Sequence, residues 1–205
     1  MLDEVIETKA LPHDKAGDKH FDTISAFIKS VRASDPDASV YWLARLLLAG
    51  EDLMFIARRL VILASEDIGL ADPRALTIAV SAQQAAHFVG MPEARIILSE
   101  ATIYLASAPK SNSAYKAINS AISEIKSSGE NPVPLHLRNP VTDLMSQEKY
   151  GQGYKYAHDY PAHFVRTENL PENLGSKDFY LPGNLGYEKL IAERLNKWWK
   201  EKYKE

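Results

Sequence analysis

Apolar residues recur at three- and four-residue spacing through the first 130 positions. Phe21, Ile24, Ile28 and Val31 within 21–33 predict a short amphipathic helix. Ser34-Asp35-Pro36 reads as a cap followed by proline at the first helical position. The segment 36–49 that follows is apolar on most sides, with Arg45 its one charge after Asp37. A helix of that kind is buried, or half of it meets another chain. Glu51-Asp52 opens a third helix, with Leu53, Ile56, Ala57, Leu60, Val61, Ala64 and Ile68 on one stripe and Gly69 as its stop. Asp72-Pro73 starts an alanine-rich helix over 75–89, and Pro92 starts another with Ile97, Leu98, Ala101 and Leu105 inward. Asn112 or Ser113 caps a sixth, whose stripe is Tyr115, Ile118, Ile122 and Ile125. Six helices joined by short loops predict a compact all-α array.

After residue 130 the periodicity fades. Six of the 11 prolines fall in 131–187, and six of the 10 tyrosines with five of the 10 glycines fall in 150–187. Two helical turns fit 141–149. Aromatics this dense normally pack on something, so the rest reads as irregular and ordered. Residues 186–203 predict a last helix, with Tyr187, Leu190, Ile191, Leu195 and Trp198 inward.

The chain of 205 residues has 45% apolar and 25% charged residues, a globular composition. Net charge is -3 and the pI is about 6.1, so any nucleic-acid site is a local patch. There is no cysteine, which excludes disulfides, thiolate metal sites and cysteine nucleophiles. No secretory signal or membrane span is visible, and a soluble, intracellular protein is expected.

Candidate chemistry is sparse. No glycine is followed by lysine, so the phosphate loop of ATP-binding proteins is missing from the sequence. Gly151 and Gly153 form a lone G-x-G, and the four S-x-x-K matches lack companion motifs. His158, Asp159 and His163 have ligand chemistry suited to zinc or iron and support a remote alternative, a metal hydrolase; ordinary hydrogen bonding among tyrosines competes with it. Bases interleaved with aromatics, at Lys110, Lys116, Lys155, Trp198 and Trp199, suit single-stranded nucleic acid. A solvated face over buried rings is the plainer reading. The carboxylates Glu66 and Asp67 diverge by about 100° on a helix and do not make an acid–base pair.

Longer strings carry more. ISAFIKSVRASDPDASVYWLARLLLAGED (24–52), FIARRLVILASEDIGLADPRAL (55–76), YLASAPKSNSAY (104–115), VPLHLRNP (133–140) and YGQGYKYAHDYP (150–161) stand in this sequence. Together they resemble the C-terminal region of one AAA+ ATPase family, the replication-associated recombination protein A family (RarA, also called MgsA) with its eukaryotic relative, the Werner-helicase-interacting ATPase. The resemblance covers roughly residues 16–205; Ala33 and Ser39 depart from the family's glycine and alanine. It implies a helical array similar to the clamp-loader collar, a post-AAA+ oligomerisation domain, followed by the aromatic-rich segment and the terminal helix. Residues 1–15 would be the tail of a lid, 16–130 the collar, and 131–205 an extension packed on the same domain. It further implies a homotetramer with no catalytic, cofactor or metal site in this chain. ATP and magnesium would bind an AAA+ domain absent from it. The full-length parent would be a DNA-stimulated ATPase acting in replication, recombination and repair, engaging DNA and single-stranded-DNA-binding protein, in the cytoplasm at the nucleoid. A module binding single-stranded DNA or that protein is the alternative. Surplus apolar surface on the helices agrees with self-assembly. The expected interface draws on Trp42, Arg45, Leu46, Arg58, Arg59, Glu66 and Asp67, where charges beside apolar helices set register between chains.

Overall fold

The computed structural model describes residues 18–199, and the residues at 1–15 expected to be a lid tail lie outside that range. The described chain is all-α, without a strand. It divides into two compact units, one comprising residues up to Ala114 together with Leu185–Glu188, the other Tyr115–Asn184 and the residues from Lys189 onward. The division falls ahead of the compositional change near residue 130.

The first unit is built from α1 (Asp18–Arg32), α2 (Pro36–Leu48), α3 (Leu53–Leu63), α4 (Arg74–Val89) and α5 (Ala94–Ser107). On α1 the buried seam is Ile24, Phe27 and Val31, with Ile28 half-buried. Phe21, expected inward, is exposed; the seam begins one turn later, at Ile24. Asp35 caps α2 by accepting from the Ala38 amide at 2.9 Å, ahead of Pro36. Buried alanines at 75, 79, 82 and 86 let α4 lie close against α3 and α5.

The third helix does not run to Gly69 as an α-helix. It widens into a π-turn over Ala64–Ile68 and then a 3-10 turn over Gly69–Ala71. Hydrophobic spacing cannot reveal this, because Ala64 and Ile68 stay buried on the same stripe. The wide turn presents Asp67 in two directions. Its carboxylate accepts from Arg32 Nε at 2.6 Å, and its carbonyl accepts from the Ser111 amide at 2.8 Å. At Gly69 φ is +49°, and a Cβ would sit 2.9 Å from the Ser111 carbonyl oxygen, so only glycine fits.

Asp72 anchors the start of α4. It accepts from Arg74 Nε at 2.8 Å and from the Tyr104 hydroxyl at 2.5 Å. The Arg74 guanidinium holds the Asp72 carboxyl below its ordinary value, with the Tyr104 hydroxyl adding to the effect and burial opposing it. A carboxyl lowered by folding stabilises the native state above its unfolded value, near pH 4, and that contribution fades as pH falls through the lower folded value. Asp72→Asn should therefore melt below the parent at pH 7, with the gap closing below about pH 4. Thermal melts across a pH series check this; a constant gap would refute it.

The second unit contains most of α6 (Ser113–Ser128), then α7 (Asp143–Gln147), four 3-10 turns and most of α8 (Gly186–Trp199). None of its described residues is fully buried. Polar ties and ring contacts hold it instead. Lys177 pairs with Glu124, and Asn173 donates to Asn131 at 2.6 Å. Arg138 lies over Tyr150 and donates to the Val133 carbonyl at 2.7 Å. The α6 stripe of Tyr115, Ile118, Ile122 and Ile125 is exposed.

The inward set expected for α8 needs correction. Tyr187 and Leu190 are exposed, while Glu188 is fully buried and accepts from the Ser113 hydroxyl. Both Glu188 and Ser113 lie in the first unit, where Gly186 brings the first turn of α8 against the Ala71 carbonyl.

Candidate assembly surface

Buried positions on α5 are Ala94, Leu98, Ala101, Thr102, Leu105 and Ala106. The opposite face is also apolar, with Ile96 and Ile103 exposed. On α2 the core takes Ser39, Leu43 and Leu46, and leaves Tyr41 and Leu48 exposed. Between these outer faces and the Met91-Pro92 corner runs a groove of about 820 Å³. Leu48 is 64% exposed and Ile96 62%, while Phe88, at the end of α4, is 90% exposed. Stripping water from such side chains is worth roughly 25 cal/mol per Å², so an apolar surface is the natural covering. Arg95 and Glu100 line the groove on either side of Ser99, and neither forms an ion pair among the described residues.

The interface residues expected from sequence are distributed differently. Leu46 is 1% exposed and belongs to the core, so it meets no other chain while the unit is folded. Trp42 is half-buried, edge-on to Tyr41, with Arg45 stacked over it at 5.5 Å. Arg58 and Arg59 both lie over Phe55, and Arg58 also pairs with Asp52 at 3.8 Å. Glu66 and Asp67 both meet Arg32 of their own chain, at 3.5 and 2.6 Å. None of these residues lines the groove. The groove itself is foreshadowed only by the excess of apolar residues on α2. Nothing in a linear pattern shows that α5 is apolar on two faces until one of them is filled.

The nucleic-acid candidates also separate. The Lys110 ammonium donates to the carbonyls of Leu105, Ala106 and Ala108 at 2.7–3.0 Å, closing the end of α5. Burial lowers its pKa, with the Asp67 charge opposing. Trp198 stacks on Phe164 at 5.3 Å, and Trp199 meets the same ring edge-on. Lys116 and Lys155 are exposed. The remote metal-hydrolase alternative is not supported. His158 and His163 face each other ring to ring at 4.9 Å, and no group of three or more potential ligands converges among the described residues. No described helix is long and apolar enough to cross a membrane.

Comparison with known proteins accounts for residues 1–199. Residues 33–199 match the family model described as MgsA AAA+ ATPase C terminal, and residues 1–32 match one described as AAA C-terminal domain. The replication-associated recombination protein A of Coxiella burnetii is 47% identical over 196 residues, covering 95% of this chain and 44% of that protein. Its namesake in Bacillus subtilis is 43% identical, covering 98% and 48%. A Dictyostelium discoideum protein named ATPase WRNIP1 is 41% identical over 180 residues, covering 87% and 20%. The chain thus spans less than half the length of these relatives.

Proposed function

The chain belongs to the MgsA (replication-associated recombination protein A) family of AAA+ ATPases, matching its C-terminal region, and from that premise we propose that it assembles the ATPase into a homotetramer. The observation that carries the proposal is the apolar groove between α2 and α5, rimmed by Leu48, Met91, Ile96 and Ile103. A contiguous exposed patch of this kind on a soluble domain marks an interaction site. Its charges suit a second copy of the same surface. With the axis between two antiparallel α5 helices passing midway between Arg95 and Glu100, Arg95 of each copy meets Glu100 of the other, the reciprocal pattern a two-fold axis requires. Two such contacts of different kinds build a closed tetramer.

On this reading ATP and magnesium are handled by an AAA+ portion whose phosphate loop this sequence does not contain. The whole protein then works on DNA with single-stranded-DNA-binding protein, in the cytoplasm at the nucleoid. The chain itself is catalytically silent.

Light scattering behind size exclusion tests the assembly. A mass near four times 22.9 kDa, stable on dilution, is expected. Leu48→Glu with Ile96→Glu should at least halve it, since buried unpaired carboxylates cost several kcal/mol. Unchanged mass in that variant removes the groove from the interface. Charge reversal at Arg58 and Arg59, outside the groove, should leave the mass unaltered.

A further inference from the structure

Within the second unit, the stretches 131–136 and 168–176 line a trough. It consists of two adjoining cavities, of about 660 and 580 Å³, that share Pro134, Leu135 and Glu172. Together they make one elongated space, suited to an extended ligand more than to a compact one. The walls are held in place before anything binds. Pro132, Pro134 and Pro171 fix their own φ. Two side-chain bridges tie one wall to the other: Asn173 donates to the Asn131 side-chain oxygen at 2.6 Å, and His136 Nε2 donates to that of Asn169 at 3.3 Å. The Gly151 amide donates to the Leu135 carbonyl at 2.8 Å from below. A site built this way loses little ordering entropy on binding.

The lining is apolar with acids set into it. Val133 is 54% exposed and Leu135 44%, while Pro134, Leu170 and Pro171 are half-buried. Glu168 and Glu172 are exposed, and neither carboxylate has an ion pair or hydrogen bond among the described residues. The nearby bases are turned to other partners. Arg138 donates to the Val133 carbonyl and lies over Tyr150, Arg166 lies over Trp199, and Lys177 pairs with Glu124. Over 130–138 and 166–178, Glu130, Glu168, Glu172 and Asp178 outnumber Arg138, Arg166 and Lys177. The lining residue Gln152 has no charged residue within two positions. A cationic ligand with an aliphatic stem matches both halves of this surface. Arginine does so best, because its fork meets a carboxylate in two bonds while its methylenes lie along leucine and proline. We propose that the trough docks an extended, arginine-bearing peptide segment of a partner protein, with Glu168 and Glu172 holding the guanidinium and Leu135 and Leu170 its stem. All of these residues belong to the second unit and those of the α2/α5 groove to the first, so this docking does not rest on the assembly.

The test is fluorescence anisotropy of a labelled peptide of three Leu-Arg-Pro repeats with the full chain. Binding should be measurable at 50 mM salt and should weaken as salt rises, since the paired charges are solvent-exposed. Glu168→Gln with Glu172→Gln should weaken it at least about tenfold, the loss of one charge-assisted contact or more. Both positions are exposed and Gln keeps their shape, so the melting curve of this variant should match the parent's. Replacing each arginine of the peptide by glutamate should abolish binding. Hydrogen exchange should slow on peptide addition at the amides of 133–136 and 168–176, which locates the site independently of any substitution. The proposal is overturned by absence of binding at 50 mM salt, by equal binding of the glutamine variant or of the glutamate peptide, or by protection that falls elsewhere on the chain. Equal binding of free arginine would likewise overturn it, since the trough would then take a small molecule and not a peptide.

Discussion

Phe27→Ala should destabilise the first unit by about 3–5 kcal/mol, the range for truncating a buried phenylalanine. Phe27 is fully buried on α1, between Ile24 and Val31 in the same hydrophobic cluster. The cluster draws residues from several helices, so the lost ring leaves a hole that none of them can close alone. Native domains are stable by only about 5–15 kcal/mol. One side chain therefore carries a large share of the unit's stability. Denaturant unfolding followed by circular dichroism measures the change, and Phe21→Ala is the control, since Phe21 is exposed. A loss under 1 kcal/mol at Phe27 would mean that α1 is not seated in the core as described.

A comparable effect is expected from one methyl group at Gly186. There φ is +55°, and a Cβ would overlap the Ala71 carbonyl and crowd the Pro109 ring. Two penalties act together: a left-handed conformation costing about 1–2 kcal/mol outside glycine, and a steric clash with backbone that has no rotamer to relieve it. Gly186→Ala should expel the Leu185–Glu188 turn from the first unit and expose Glu188, whose carboxylate is paired with Ser113. Melting temperature should fall by several degrees, and hydrogen exchange at 185–188 should rise to the rate of open chain. Retained protection there would contradict the close approach.

The helices of the first unit are legible in sequence because each carries its own punctuation. Pro36 after Asp35, Gly50, Asp72-Pro73 and Gly90 mark starts and stops that depend on φ limits and lost amide donors, which are local properties. The misreadings arise where a partner far along the chain decides the outcome. Glu188 is missing from the inward set that periodicity gives α8, because Ser113, beside which it is buried, lies 75 residues away. Lys110 looks like a free cation until three carbonyls close around it. Glu66 and Asp67 read as charges at an interface, and their contact within the chain, to Arg32 at 34 and 35 residues' distance, shows only in the fold. The excess of apolar residues on α2 points to one wall of the groove. Its second wall required knowing which face of α5 the core would use. Periodicity failed on α6, where a regular stripe is present but left outside.

The corner joining α1 to α2 has a mechanical meaning. Two homologous blocks meet at 32/33, yet the chain there is drawn tight, with Ser34 donating to Val31 and Asp35 to Ser30 by backbone bonds of 3.1 Å. Arg32, the last residue of the first block, grips Asp67 of the second. Families drawn from sequence thus part at a place where the folded body does not bend. A pull on the amino end of α1 is carried through Phe27 and Val31 into the core as through a wedge. Within the first unit, α1 therefore moves with the core into which it is wedged.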